Sequence, residues 1–126
     1  MVGLVIVSHS LKLAEGVLDA TKVMADGCLI ASAGGTDDGG YGTSYEKIKN
    51  AIIKVYSNDG VIVLVDMGSA VMTAEMVIED LGYDNVCLLD CPIAEGAIAA
   101  SLSSLCGDDI ETVKNEALSA KTESKW

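Results

Sequence analysis

The 126-residue chain has no phenylalanine and one proline, and its only aromatic residues are one tryptophan and four tyrosines. Half of its residues are nevertheless apolar, so the core must be built from Val, Ile, Leu, Ala and Met. No apolar run approaches the length of a membrane span. The start, Met1–Leu4, lacks the basic region and the cleavage pattern of a signal peptide. We therefore expect one cytoplasmic domain over residues 1–126, with a frayed tail at 120–126.

Patterns that bind metal are also missing. The four cysteines form no CxxC pair, and the single histidine, His9, lies far from them along the chain. Zinc sites usually need four such ligands at characteristic spacings. We therefore expect no metal and no cofactor. Three of the cysteines lie in apolar stretches, which favours ordinary buried thiols in a reducing compartment. The cysteines are Cys28, Cys87, Cys91 and Cys106.

Positive charge is scarce. Nineteen acidic residues against eight basic ones give a formal net charge of −11. A phosphate backbone would be repelled, so nucleic-acid binding is excluded as a primary role. The same charge would accelerate encounter with a basic protein partner, although it is also compatible with a simple role in solubility.

Four apolar runs, mostly rich in β-branched residues, alternate with segments of helical spacing. The runs predict strands at Leu4–Val7, Cys28–Ala31, Val61–Val65 and Val86–Leu89. The segments between them predict helices whose inward faces include Ala14, Val17 and Thr21, then Ile48, Ile52 and Val55, then Val71, Ala74 and Val77. An Ala-rich helix is expected after Pro92, and a last helix near Asp108, whose carboxylate would cap it.

This alternation predicts an α/β fold with an open, mainly parallel sheet and helices on both faces. A strand order of 2-1-3-4 would place the topological switch point between strands 1 and 3. His9 follows the first strand and Asp66 follows the third. Ligands and chemistry collect at that edge of parallel sheets, so we expect the two side chains to meet there.

A carboxylate beside a histidine supports one particular chemistry. If Asp66 accepts a hydrogen bond from Nδ1–H of His9, Nε2 keeps an exposed lone pair that can attack phosphorus. The same carboxylate would stabilise the cationic ring that forms. The structural alternative is a histidine that merely ends a strand and an aspartate that merely caps a helix.

Two glycine-containing loops favour a bound phosphate. Residues 34–43 include five glycines, and Asp66–Ala70 leads into a helix expected to begin at Ser69, whose N–H groups would attract an anion. Neither loop is a Walker A motif, and no GxGxxG follows the first strand, so a nucleotide is disfavoured and a small phosphate group fits. Both loops are also compatible with flexible connections that have no role.

Four segments together resemble a known family. They are Leu4–Ser10, Glu15-Gly16, Asp66–Ala70 and Pro92–Gly96. In this order, and over essentially the whole chain, they resemble the mannose-type enzyme IIA family of the phosphoenolpyruvate-dependent phosphotransferase system. The resemblance is to its dihydroxyacetone kinase branch, which implies the mannose-type enzyme IIA fold.

The resemblance implies a phosphohistidine relay. His9 would receive a phosphoryl group on Nε2 from the phosphocarrier HPr, with Asp66 orienting the ring. The group would then pass to ADP held by the nucleotide-binding subunit of dihydroxyacetone kinase. A homodimer is also implied. Because the chain stops at Trp126, HPr is expected to be a separate protein. The residues expected to bind phosphate are Gly68, Ser69, Ser10, Gly34, Gly35 and Thr36.

Two other functions stay open at this point. The chain is compatible with an enzyme IIA of a mannose-type sugar transporter, which would pass its phosphate to a transporter subunit. It is also compatible with a regulatory module in which phosphorylation of His9 only changes partner affinity. Transfer to ADP separates both from the preferred hypothesis.

Overall fold

The computed structural model describes residues 1–126 and contains four strands that alternate with four helices, followed by a fifth helix. The four strands form one parallel sheet in the order β2-β1-β3-β4. This order confirms the predicted α/β topology, with its switch point between β1 and β3. None of the helices is long and apolar enough to cross a membrane. The elements are β1 Gly3–Ser8, α1 Leu11–Met24, β2 Ile30–Gly34, α2 Tyr45–Val55, β3 Val61–Val65, α3 Gly68–Leu81, β4 Val86–Leu89, α4 Ile93–Leu105 and α5 Ile110–Ser119.

The central strand β1 is buried on both faces, which is why its sequence shows no polar alternation. Val5 and Val7 pack in the core beneath α2 and α3. Leu4 and Ile6 pack in the opposite core, beneath α1, α4 and α5. The three layers follow from side chains that alternate between the faces of a strand. With helices on both faces, chemistry is confined to the ends of the strands.

The predicted inward helix faces are largely confirmed. The positions buried on the helices are Ala14, Val17, Thr21, Ile48, Ala51, Ile52, Val55, Ala70, Ala74, Val77, Val113 and Ala117. The prediction for Val71 is only partly right, because that side chain is partly buried and packs against the edge of its core. Ala-rich α4 buries six of its 13 residues.

Two predicted boundaries are wrong. The second strand begins at Ile30 instead of Cys28, because Cys28 N–H donates to the Ala25 carbonyl and so belongs to the turn that ends α1. The strand continues to Gly34, which pairs with Ser8. The last helix is capped by Asp109, whose side chain accepts from Thr112 N–H at 3.0 Å.

Asp108 does not cap that helix because its carboxylate accepts from the Ser103 hydroxyl at 2.8 Å. The expectation of buried cysteines is also only partly right. All four thiols are free, but only Cys91 is buried, and burial raises its pKa to about 11. Cys28 and Cys87 are half-buried and Cys106 is exposed.

Candidate active site

Two neighbouring strands bring the predicted pair together. In the β1–β3 register Val7 lies opposite Val65, so the residues that follow each strand meet at the carboxyl edge of the sheet. There His9 Nδ1 lies 2.6 Å from Asp66 Oδ2. The separation is 57 residues along the chain, so the contact depends entirely on strand pairing.

One carboxylate oxygen of Asp66 accepts all the hydrogen bonds that this side chain makes. Besides His9 Nδ1, Oδ2 accepts from the Ser8 hydroxyl at 2.8 Å and from His9 N–H at 3.2 Å. The other oxygen, Oδ1, is buried and accepts no hydrogen bond from the protein. Burial opposes ionisation of this side chain, but the bonds from Ser8 and His9 outweigh it, so the pKa of Asp66 lies below its ordinary value. The group is therefore a carboxylate at neutral pH.

A buried hydroxyl connects this carboxylate to the next helix. Ser8 is fully buried, and while its Oγ donates to Asp66 it also accepts from Ser10 N–H at 3.0 Å. Ser10 in turn caps α1, its hydroxyl accepting from Leu13 N–H at 3.2 Å. The turn that carries His9 is thus fixed on both sides of the histidine.

The geometry leaves one ring nitrogen free. Because a carboxylate only accepts, Nδ1 must carry a hydrogen in this contact, and in the neutral ring Nε2 then keeps its lone pair. Nε2 makes no hydrogen bond with the protein, and 32% of the side chain is exposed. This arrangement suits a nucleophile whose cationic product is stabilised by a buried negative charge.

The start of α3 lies directly after Asp66. Its first helical residue is Gly68, one position earlier than predicted, and Met67 at the cap provides no side-chain hydrogen bond. Gly68 and Ser69 are both exposed. An uncapped helix N-terminus directly after Asp66 favours binding of an anion, and the phosphate-binding role of these two residues stays a prediction.

Comparison with known proteins identifies the family to which the chain belongs. A sequence model for EIIA-man, described as the PTS system fructose IIA component, matches residues 3–114. The chain belongs to the EIIA-man family. Several curated relatives of this EIIA-man chain are named DhaM, phosphoryl donor subunit of a PEP-dependent dihydroxyacetone kinase.

The relatives differ in length. The chain is 42% identical to DhaM of Escherichia coli (strain K12), an alignment that covers 95% of this chain and 27% of that protein. It is 32% identical to the subunit of dihydroxyacetone kinase 2 from Listeria innocua serovar 6a, over 92% of this chain and 96% of that one. The chain therefore spans about a quarter of the first relative and nearly all of the second.

Solved structures support the same fold. The crystal structure of a protein of unknown function named EF1359 superposes with a TM-score of 0.87 at 28% identity, covering 99% of this chain and 98% of that one. A sigma-54 interaction domain protein from Enterococcus faecalis superposes with a TM-score of 0.71 at 19% identity, covering 94% of this chain and 89% of that one. The second likeness concerns the fold alone.

The polar side chains in the glycine-rich loop of this EIIA-man chain bond mostly within the loop. The Thr36 hydroxyl donates to Asp38 Oδ1, and the Ser44 hydroxyl donates to Asp37. Gly40 N–H also donates to Asp38, and the bonds from Thr36 and Gly40 hold the pKa of Asp38 below its ordinary value. Thr36, predicted to bind phosphate, is thus engaged within its own loop.

The two predicted glycines of this loop have packing roles. A Cβ on Gly34 would lie 2.7 Å from Ala14 Cβ and 2.8 Å from the Ser10 carbonyl oxygen, so only glycine lets β2 pass under α1. Gly35 has φ +72 and donates its N–H to the Ser8 carbonyl at 3.1 Å. Both residues lie near the site and shape the turn beside His9.

Three residues at the site were not predicted from the sequence. Ser8, which the sequence placed just after the first strand and which is the last residue of β1, holds Asp66 through its hydroxyl. Tyr41 is 83% exposed, and its ring centroid lies 6.1 Å from that of His9. Lys12 lines a cavity with Tyr41. Only Lys12 had a signal in the sequence, as a cation three residues after the histidine.

Proposed function

We propose that the chain is a phosphohistidine relay of the dihydroxyacetone kinase type. It accepts a phosphoryl group from phospho-HPr on His9 Nε2 and transfers it to ADP bound in the nucleotide-binding subunit of the kinase. The observation that carries this proposal is the 2.6 Å contact between His9 Nδ1 and Asp66 Oδ2. The names of the DhaM relatives support the phosphoryl-donor role and the kinase partner.

The chemistry is one displacement in each direction. In loading, the Nε2 lone pair attacks phosphorus and the bond from phosphorus to the donor's nitrogen breaks. The ring becomes cationic, keeps its proton on Nδ1, and is stabilised by Asp66. Hydrogen bonds to charged groups contribute about 1.5–3 kcal/mol, or one to two decades in rate if fully expressed in the transition state. The uncapped start of α3 receives the phosphoryl oxygens.

The proposal includes the setting in which the relay works. Four free thiols suit a reducing compartment, so we place the chain in the cytoplasm. We also propose that it works as a homodimer, on the basis of its family. Sedimentation at micromolar concentration tests the dimer independently of the chemistry.

The family description favours a second candidate. A chain matched by a model of the PTS fructose IIA component is also suited to loading from HPr and discharge to a sugar-transporter subunit. In that case His9 and Asp66 keep the same roles, and only the acceptor differs.

The test follows the phosphoryl group. The protein is incubated with phosphoenolpyruvate, enzyme I and HPr, and mass spectrometry looks for one added phosphate that acid removes. The ADP-bound kinase subunit is then added. We expect loading followed by discharge, and no loading of His9→Ala, whose fold is checked by circular dichroism. Loading without discharge would favour the transporter or regulatory functions, and phosphate on His9→Ala would refute the role of His9.

A further inference from the structure

A cavity of about 200 Å³ adjoins the histidine between the start of α1 and the tip of the glycine-rich loop. Two contacts locate it beside His9. The ring of Tyr41, which lines the cavity, lies 6.1 Å from the ring of His9, and Gly42 N–H donates to the His9 carbonyl at 2.9 Å. The cavity is lined by Ser10, Leu11, Lys12, Gly39, Gly40 and Tyr41.

Lys12 is the only charged residue that lines this cavity. It is the second residue of α1, where the helix dipole disfavours a cation, and the first turn contains no acidic residue to offset it. Lys12 forms none of the ion pairs of the protein. Its charge is therefore engaged in no ion pair, at a position that the helix dipole disfavours.

Few other lysines are placed to replace it. The eight lysines provide all the positive side chains of a chain with net charge −11. Lys47 donates to the Gly34 carbonyl at 2.9 Å and lines a different groove. Lys121 and Lys125 pair with Asp90 and Glu95. Lys12 is thus the one lysine that lines the cavity formed with Ser10 and Tyr41 beside His9.

Transfer from a phosphohistidine to a nucleoside diphosphate brings two anions together on an acidic protein. The repulsion slows the approach unless a cation lies between or beside them. A lysine next to the phosphohistidine provides such a charge. Loading of His9 depends less on such a cation, because the protein donor presents one phosphoryl group and no diphosphate.

We propose that Lys12 binds the diphosphate of the nucleotide acceptor when the partner docks against His9. The inference rests on the proposed function. In the transfer, a terminal oxygen of the diphosphate forms a bond to phosphorus while the bond from Nε2 to phosphorus breaks. The electron pair of that bond stays on Nε2, and the ring returns to its neutral form with its proton on Nδ1 beside Asp66. Lys12 offsets the charge of the acceptor and is not consumed.

The test compares loading and discharge in single turnovers. Lys12→Met removes the charge and keeps the length of the side chain, whereas Lys12→Arg keeps the charge. Lys22→Met, in the last turn of the same helix, is the matched control. Each protein is loaded with phosphoenolpyruvate, enzyme I and HPr, then mixed with increasing amounts of the ADP-loaded kinase subunit.

For Lys12→Met we expect the ratio of the discharge rate to the loading rate to fall about tenfold or more. Lys12→Arg should restore most of it, and Lys22→Met should match the unsubstituted protein. Equal slowing of both steps, or no change in either, would overturn the role of Lys12 and leave the relay intact. An unsubstituted protein that loads but never discharges would contradict the proposed function and this inference with it.

Discussion

The loops after β1 and β3 differ from the loop after β2 in where their polar groups bond. The first two loops bond to each other, since Ser8 and His9 both donate to Asp66, across 58 and 57 residues of chain respectively. In the glycine-rich loop, the side chains of Thr36 and Asp38 bond within a few residues, and only the backbone N–H groups of Gly35 and Gly42 reach the turn at His9. Glycine content alone therefore does not identify the candidate site. The side-chain bonds between distant residues do.

The largest effect is expected when the carboxylate of Asp66, after β3, is compared with that of Asp38, in the glycine-rich loop. Asp66→Asn removes the negative charge that stabilises the cationic ring, so the loading rate should fall about tenfold to a hundredfold. Asp38→Asn, in the glycine-rich loop, should stay within about twofold. Both rates are measured by quenched flow with phospho-HPr as donor. Equal rates for the two variants would remove the distinction between the loops.

An intermediate effect concerns stability. Gly34→Ala should lower the free energy of unfolding by about 1–3 kcal/mol, because the new methyl group meets Ala14 and the backbone of α1 within 2.8 Å. The matched variant is Gly16→Ala in α1, where the new methyl group meets nothing within 4 Å. It should raise the free energy of unfolding by about 0.5–1 kcal/mol. Urea denaturation measures both. A stable Gly34→Ala protein would show that this glycine is free for another role.

The smallest effect is a pH dependence. The pKa of Asp66 is lowered in the folded protein, so its ionised form stabilises the fold above the unfolded value of about 3.9. That contribution is lost as the pH falls through the folded pKa. The difference in unfolding free energy between the unsubstituted protein and Asp66→Asn should therefore shrink below about pH 4. A difference that grows with acidity would mean that the carboxylate is destabilising.

The sequence predicted the topology and the contact between His9 and Asp66 for one physical reason. Buried parallel strands appear as continuous apolar runs, and the residues that follow them must lie at one edge of the sheet. His9 and Asp66 could thus be paired without a structure. The start of α3 after Asp66 was also predicted to within one residue.

The remaining features depend on tertiary contacts that a pattern does not show. Ser8 holds Asp66 only because β3 lies beside β1, and the sequence of a strand end does not reveal a bridging hydroxyl. Asp108 and Asp109 are equally good caps by type, and the hydroxyl of Ser103 decides between them. The cavity at Lys12 exists because the glycine-rich loop brings Tyr41 near His9. The amino-acid composition of a loop does not predict the path that its backbone takes.

Because the two central strands must pair to form it, the contact between His9 and Asp66 exists only in the folded protein. His9 in an unfolded or partly folded chain has no carboxylate beside it, because Asp66 arrives only when β3 docks on β1. Chains that have not formed this long-range contact would be poor phosphoryl acceptors. Under the proposed relay, loading from the phosphoryl donor would therefore mark molecules whose sheet is complete, before they meet the acceptor.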